Sequence, residues 1–381
     1  MPYPFTIGYI SSYVPRECGI STYTHRLAKV IADIQGRSYN VIAVNDPGNS
    51  FDYGDEVKYV FEEENKQSYN DAVSFINQSN IDVINVQHEY GLFGGSDGED
   101  FLILLENINK PIVTDLHTIL PQPNPHHQEV TSRILNASDQ LIVMTERSKA
   151  LIHDIYAISE EKINMIHHGG PDVEFGQTEI YKKELGFEDR IVLATFGLMS
   201  HGKGIEFVLD ALPKVVEKYS NILFLVLGET HPVVRRRHGE AYREMLIKKV
   251  SDLGLEEFVQ FENRFFSYQN LVDYLQATDI YLASAINPKQ AVSGTLAYAM
   301  TTGLAIISTP TQYAKEVLSE GRGVLVNFND SRGFEEALLK LLDNQREREE
   351  MSKRAYVFGQ NMVWPLVATR HLDVFAKAYG A

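Results

Sequence analysis

The sequence predicts an α/β protein made of two parallel-sheet halves, and three observations carry that expectation. Short β-branched runs alternate with helix-length amphipathic stretches from one end of the chain to the other, the pattern of parallel strands crossed over by helices. The length of 381 residues suits two domains. Residues 170–190 (GPDVEFGQTEIYKKELGFEDR) break the apolar rhythm with glycine, proline and charge, which marks a linker between them.

In the first half, the β-branched runs predict strands at residues 6–10, 40–44, 57–60, 83–87, 112–116, 140–144 and 162–166. Helices are expected between them at 21–34, 69–78, 98–107, 128–136 and 147–156. The second half repeats the alternation, with strands at 191–196, 222–227, 259–261, 280–283, 305–308 and 324–326. Its helices are expected at 204–219, 239–253, 268–277, 294–302, 332–342 and 346–359. A break at Trp364–Pro365 starts a last helix, 365–379, because proline is preorganised for a first helical turn. That helix is free to pack back on the first half.

Composition narrows the function classes. Lys and Arg number 35 against 51 Asp and Glu, a net charge of −16, and no local basic groove offsets it, so nucleic acid is not an expected partner. The longest apolar run, 222–227, is far too short to span a bilayer, and the start MPYPFTIGYI lacks the pattern of a secretory signal. The single cysteine, Cys18, can form neither an internal disulfide nor a cysteine-rich zinc site. A cytoplasmic protein is expected.

Ligands of open parallel sheets sit beyond the carboxyl ends of the strands, so the loops that follow strands are the places to search. After the first strand, SSYVPRECGIST puts Gly19 ahead of a helix capped by Ser21 or Thr22, whose free N–H groups suit a phosphate or a sugar hydroxyl as well as an ordinary turn. After the fourth, VQHEYGLFGGSDGED gathers His88, Glu89, Gly94 and Gly95, and the glycines permit close backbone approach to a ligand. DLHT puts His117 at the top of the sheet, and IHHGGPD does the same for His168 and Gly169, without metal-ligand spacing.

The second half opens on ATFGLMSHGKG, where Gly197, Gly202 and Lys203 nearly complete a P-loop. Gly204 stands where Ser or Thr would hold magnesium, so an NTPase reading fails, while Lys203 at a helix start can still neutralise a diphosphate. LGETHPVVRRRHGEAYR offers His231 and an arginine run. ASAINPKQAVSGTLAYAM concentrates Asn287, Gln290, Ser293, Gly294 and Thr295 at a strand-to-helix turn, a cradle for sugar hydroxyls and phosphate oxygens. No Asp-x-Asp and no GxGxxG after a strand occurs, which disfavours a metal-bridged diphosphate and a dinucleotide redox enzyme.

Seven of these segments, in order, resemble glycosyltransferase family 4, the retaining transferases of the GT-B fold, over essentially the whole chain: SSYVPRECGISTYT, DLHT, IHHGGPD, GLMSHGKG, LGETHP, QAVSGTLAYAM and MVWPLVA. VQHEYGLFGG and NPKQAVSGTLAYAM resemble a poorly characterised bacterial branch of it. The resemblance implies two Rossmann-like domains facing a central cleft, at 1–172 with a crossover helix at 362–381, and at 190–361, joined by a linker at 173–189.

It further implies a metal-independent, cofactor-free transfer of a hexosyl group from a nucleotide-diphosphate sugar to a carbohydrate acceptor. His117, Lys203 and Gln290 would be catalytic. Gly202, Lys203, His231 and Tyr298 would meet the nucleotide; Gly19, His88, Glu89, Gly94, Gly95, His168, Gly169, Asn287, Ser293, Gly294 and Thr295 would meet the sugars. The chain departs from the family pattern at Leu198, where an arginine is usual, and at Gln290 and Tyr298, where two glutamates are usual. A sugar phosphorylase and a non-catalytic sugar-binding protein are the alternatives on the same fold.

Overall fold

A computed structural model describes residues 3–380. The chain divides into two compact units, one running through Gly169 and resuming at Trp364, the other spanning Gly170–Val363.

The first unit is a seven-stranded, wholly parallel sheet in the order β3-β2-β1-β4-β5-β6-β7. Its strands are β1 (Ile7–Ser11), β2 (Asn40–Asn45), β3 (Val57–Glu62), β4 (Val83–His88), β5 (Ile112–Leu116), β6 (Gln140–Val143) and β7 (Ile163–Met165). Helices α1 (Gly19–Gln35), α2 (Lys66–Gln78), α3 (Phe101–Leu105), α4 (Pro125–Ala137) and α5 (Glu146–Tyr156) connect them. β1, β4 and β5 are buried along their whole length, as parallel strands covered on both faces must be. Ile84, Val86, Phe93, Phe101, Ile134 and Leu141 belong to one core cluster of this unit.

Local chemistry sets the helix limits. Asn65 accepts from the Gln67 and Ser68 amides to open α2, Asn124 accepts from His127 N with Pro125 as first helical residue of α4, and Gly36 in the left-handed region closes α1. α1 starts two residues before the expected cap. The Ser21 hydroxyl turns back to donate to the carbonyls of Cys18 and Arg16, at 2.7 and 2.5 Å, so it cannot serve as the cap of a later start.

The second unit holds β8 (Ile191–Phe196), β9 (Ile222–Leu227), β10 (Val259–Glu262), β11 (Ile280–Ala283), β12 (Ala305–Ser308) and β13 (Val324–Leu325), parallel in the order β10-β9-β8-β11-β12-β13. Its helices are α6 (Thr178–Leu185), α7 (Ile205–Lys218), α8 (Pro232–His238), α9 (Ala241–Asp252), α10 (Tyr268–Gln276), α11 (Gly294–Thr301), α12 (Gln312–Val317), α13 (Ser331–Asp343) and α14 (Gln345–Gly359). α6 lies inside the segment expected as linker. Its Lys182 is buried and pairs with Asp279 at 2.8 Å, which fixes the helix to the domain. The arginine run expected in a loop folds as α8, because Pro232 opens a helix there and Arg235 pairs with Glu229 at 3.3 Å.

The last helix, α15 (Trp364–Tyr379), belongs to the first unit. Its Trp364 indole is buried 5.3 Å from the Tyr23 ring of α1. Both sheets are Rossmann-like, with the strand order reversing between β1 and β4 in one and between β8 and β11 in the other. Among the described residues no helix is long and apolar enough to cross a membrane.

Candidate functional site

Each unit carries its candidate residues on the loops that follow its strands. In the first unit these loops follow β1, β4, β5 and β7. Gly19 opens α1, is exposed, and has open space where a side chain would stand; Cys18 before it provides no side-chain cap, so this helix start presents bare amides. One turn on, the ring of Tyr23 meets His117 at 5.1 Å, His168 at 4.9 Å and Trp364 at 5.3 Å. Tyr23 thereby ties the Gly19 loop to the ends of β5 and β7. A Cβ on Gly169 would overlap the Trp364 indole, so glycine is required for that ring to pack.

Both histidines are neutral. Burial pushes His117 down to about 3 and His168 down to about 4, and His168 Nδ1 donates to the Gly169 carbonyl at 2.7 Å. His117 Nε2 donates to Gln87 Oε1 at 2.8 Å. Glu89, at the tip of β4, accepts from Thr118 Oγ1 at 2.7 Å and from the Tyr90 amide at 3.1 Å, and burial raises its carboxyl above the ordinary value.

His88 points elsewhere, as strand alternation requires of a residue next to Gln87. Its ring lies 6.0 Å from Phe93, 5.6 Å from Phe101 and 5.0 Å from Tyr90, is 1% exposed, and is pushed down to about 3 by burial. Neither ring nitrogen has a hydrogen-bond partner among the described residues. The structure therefore makes His88 a core residue. Gly94 is buried beneath the Glu63 carbonyl, where a Cβ would overlap, and Gly95 adopts φ +81 beside Asp100. Tight packing in this loop accounts for both glycines.

In the second unit, β8 is followed by Gly197, whose φ of +123 is open to glycine alone. A Cβ there would lie 3.1 Å from Lys203 Nζ and 3.4 Å from the Thr295 methyl, so Gly197, Lys203 and the start of α11 converge on one spot. Lys203 closes a short 3-10 turn, His201–Lys203, held to the end of β11 by two bonds: Ser284 Oγ donates to the Lys203 carbonyl at 2.8 Å, and Ile286 N donates to the Gly202 carbonyl at 3.1 Å. Burial lowers the Lys203 ammonium below its ordinary range, and no carboxylate pairs with it among the described residues.

Ser293 caps α11 by accepting from Leu296 N at 3.3 Å, and its hydroxyl lies 3.1 Å from that of Thr295. The Gly294 amide stands in the first turn of that helix and is not the one Ser293 accepts from. Gln290 is braced by its backbone, which accepts from Tyr313 N at 3.0 Å, and Asn287 Oδ1 accepts from Lys289 N at 3.0 Å in an exposed turn. Tyr298 lies on the buried side of α11, 5.8 Å from the Phe196 ring and 6.2 Å from that of Tyr268. His231 Nδ1 accepts from Val233 N at 3.2 Å, capping α8.

Four residues near these loops lie outside the candidates the sequence offers. Gln87, Asp115 and His371 are joined by hydrogen bonds behind His117, and the signal for them was the Asp115 charge inside a buried strand. Arg243, 4% exposed, donates to the Gly228 carbonyl at 2.9 Å at the tip of β9. Among the described residues no cluster of His, Cys, Asp or Glu could hold a metal ion.

Residues 177–358 match the family described as Glycosyl transferases group 1. The second unit carries a group 1 glycosyltransferase domain. The match to this domain begins at α6 and covers Gly197, Lys203 and α11. Among curated relatives, the chain is similar to an uncharacterised glycosyltransferase of Methanocaldococcus jannaschii, 23% identical over 253 residues that cover 64% of this chain and 60% of that protein. It is also similar to the D-inositol 3-phosphate glycosyltransferase of Corynebacterium efficiens, 22% identical over 288 residues that cover 70% and 66%. The matched chain thus spans about 60% of the length of the first relative.

Two solved structures extend the likeness beyond the group 1 domain. Anabaena HepE in complex with UDP and glucose superposes with a TM-score of 0.73 at 15% identity, covering 98% of this chain and 99% of that one. Sucrose-phosphate synthase from Thermosynechococcus elongatus gives 0.76 at 16% identity, covering 98% and 99%. At such identity the likeness shows the fold, which is GT-B.

Proposed function

We propose that the protein is a glycosyltransferase that moves a hexosyl group from a nucleotide-diphosphate sugar to a sugar or glycoconjugate acceptor, with retention and without a metal ion. The observation that carries this reading is Lys203: a partly desolvated cation with no carboxylate beside it among the described residues, facing the bare backbone of Gly197 and the start of α11. Such a cation is costly to bury unless an anion completes it, and a diphosphate at a helix N-terminus is that anion. The UDP in the Anabaena complexes makes a uridine nucleotide the first donor to try.

In this reading Lys203 and the first-turn amides of α11 stabilise the charge that develops on the leaving phosphate, which is the main catalytic contribution. A donor-phosphate oxygen takes the acceptor's proton as the glycosidic bond breaks. Gln290 and Asn287 hydrogen-bond sugar hydroxyls, Tyr298 and His231 meet the nucleoside, and Gly19, His117, His168 and Glu89 face the sugars from the first unit.

The test is release of UDP, GDP or ADP from a panel of nucleotide sugars, with and without sugar acceptors, in EDTA. Acceptor-dependent release of one nucleotide supports the reading, and the anomeric configuration of the product tests retention. Silence across the panel from folded protein, with phosphate-dependent cleavage of a disaccharide in its place, would replace it with a phosphorylase.

A further inference from the structure

The ends of β4 and β5 carry buried polar side chains that a strand covered on both faces does not need for its fold. Asn85, Gln87 and Asp115 are fully buried, and burying them is unfavourable unless every donor meets an acceptor. The hydrogens can be assigned one by one. Gln87 Nε2 donates to Asn85 Oδ1 at 2.7 Å and to Asp115 Oδ2 at 2.8 Å, which commits both amide hydrogens. Turning the amide over would set its oxygen against two oxygens, so its orientation is fixed.

Asn85 Nδ2 is committed likewise, to Asp115 Oδ1 at 2.9 Å and the Val113 carbonyl at 3.3 Å. From α15, His371 donates through Nδ1 to the Val367 carbonyl at 2.7 Å, and its Nε2 lies 3.0 Å from Asp115 Oδ2. What Gln87 has left is Oε1, an acceptor, 2.8 Å from His117 Nε2. His117 must therefore carry its proton on Nε2. Its ring is neutral, because burial pushes it down to about 3, and Nδ1 is a bare lone pair with no partner among the described residues.

We infer that Gln87, locked by Asn85, Asp115 and His371, is a positioning residue that holds His117 as the Nε2–H tautomer, so that Nδ1 accepts a hydrogen bond from a sugar hydroxyl. The inference rests on the reading of His117 as a sugar-facing residue and adds a direction to it. The partner of His117 is a hydroxyl that donates; a phosphate oxygen or a ring oxygen is rejected there, because two acceptors would meet.

The test is a long-range proton–nitrogen correlation spectrum of the full-length protein with isotope-labelled histidine, His117 being assigned by its loss in His117→Asn. The wild type should give the neutral Nε2–H pattern without any substrate. Gln87→Met, which keeps the side-chain length and removes the amide, should move His117 toward the Nδ1–H form and lower kcat about tenfold with KM nearly unchanged.

A wild-type Nδ1–H pattern overturns the inference, and so does an unchanged tautomer in folded Gln87→Met. If Gln87→Met does not fold, the wild-type spectrum decides alone. Transfer at the wild-type rate by His117→Asn overturns the sugar-facing role. Failure of the proposed function is a separate result, since the spectrum needs no donor sugar.

Discussion

Lys203→Met separates catalysis from folding at one position. Methionine keeps the length and apolar contacts of the lysine stem and removes the charge. The ammonium faces Gly197 and Thr295, is pulled below its ordinary range by burial, and has no carboxylate partner among the described residues. Loss of one preorganised cation from a transition state costs about 3–4 kcal/mol, or about 10²–10³ in kcat. The amides of α11 survive the change and set a floor beneath that loss.

Stability should move the other way. Removing an unpaired, partly desolvated charge leaves the fold as stable or more so. The linkage sign agrees: with the folded-state pKa below 10.5, the unfolded chain binds more protons between the two values, so wild-type stability rises with pH across that window. Lys203→Met should lack the rise. The assay is initial-rate nucleotide release with EDTA present, paired with urea unfolding at several pH values. A folded variant whose kcat stays within about threefold of wild type would refute the role given to this lysine.

Acidification tests the buried histidines. His88, His117 and His168 are displaced from 6.5 to about 3, 3 and 4, so the unfolded chain protonates first and stability falls from pH 6.5 towards 4, by up to about 1.4 kcal/mol per pH unit for each. His88→Phe, which puts an apolar ring beside Phe93 and Phe101, should flatten that slope by about one histidine's share in urea titrations across this range. Gly169→Ala forces a methyl into the Trp364 indole and should cost about 1–3 kcal/mol in the same measurement. Ser293→Ala removes the α11 cap, with an expected loss of about 1 kcal/mol and a rise in KM for the nucleotide sugar; unchanged KM would detach that helix start from donor binding.

The sheets were legible because fully buried parallel strands read as continuous apolar runs. Five of them, Ile112–Leu116, Ile191–Phe196, Ile222–Leu227, Ile280–Ala283 and Ala305–Ser308, lie where the runs begin and end. Three short helices escaped: α6, α8 and α12 have eight residues or fewer, which leaves few turns for a periodicity to stand out. The convergence of Gly197, Lys203 and Thr295 was readable, since each ends a strand or begins a helix of one sheet. His88 was misleading, because a histidine at a strand tip reads as functional until the alternation with Gln87 decides which face it takes.

Asp115 marks where sequence reading has to stop and why. A carboxylate inside IVTDLHT is too costly to bury alone, so the sequence by itself demands partners for it. It does not name them. Asn85 and Gln87 lie on the neighbouring strand, but His371 is 256 residues away, on a helix that reaches the sheet only after the whole second unit has been traversed. The return of α15 to the first unit is thus more than a way to bury Trp364. It closes the hydrogen-bond set that fixes Gln87, and through Gln87 the proton on His117, so a chain ending before Trp364 would lose a positioned histidine along with a helix.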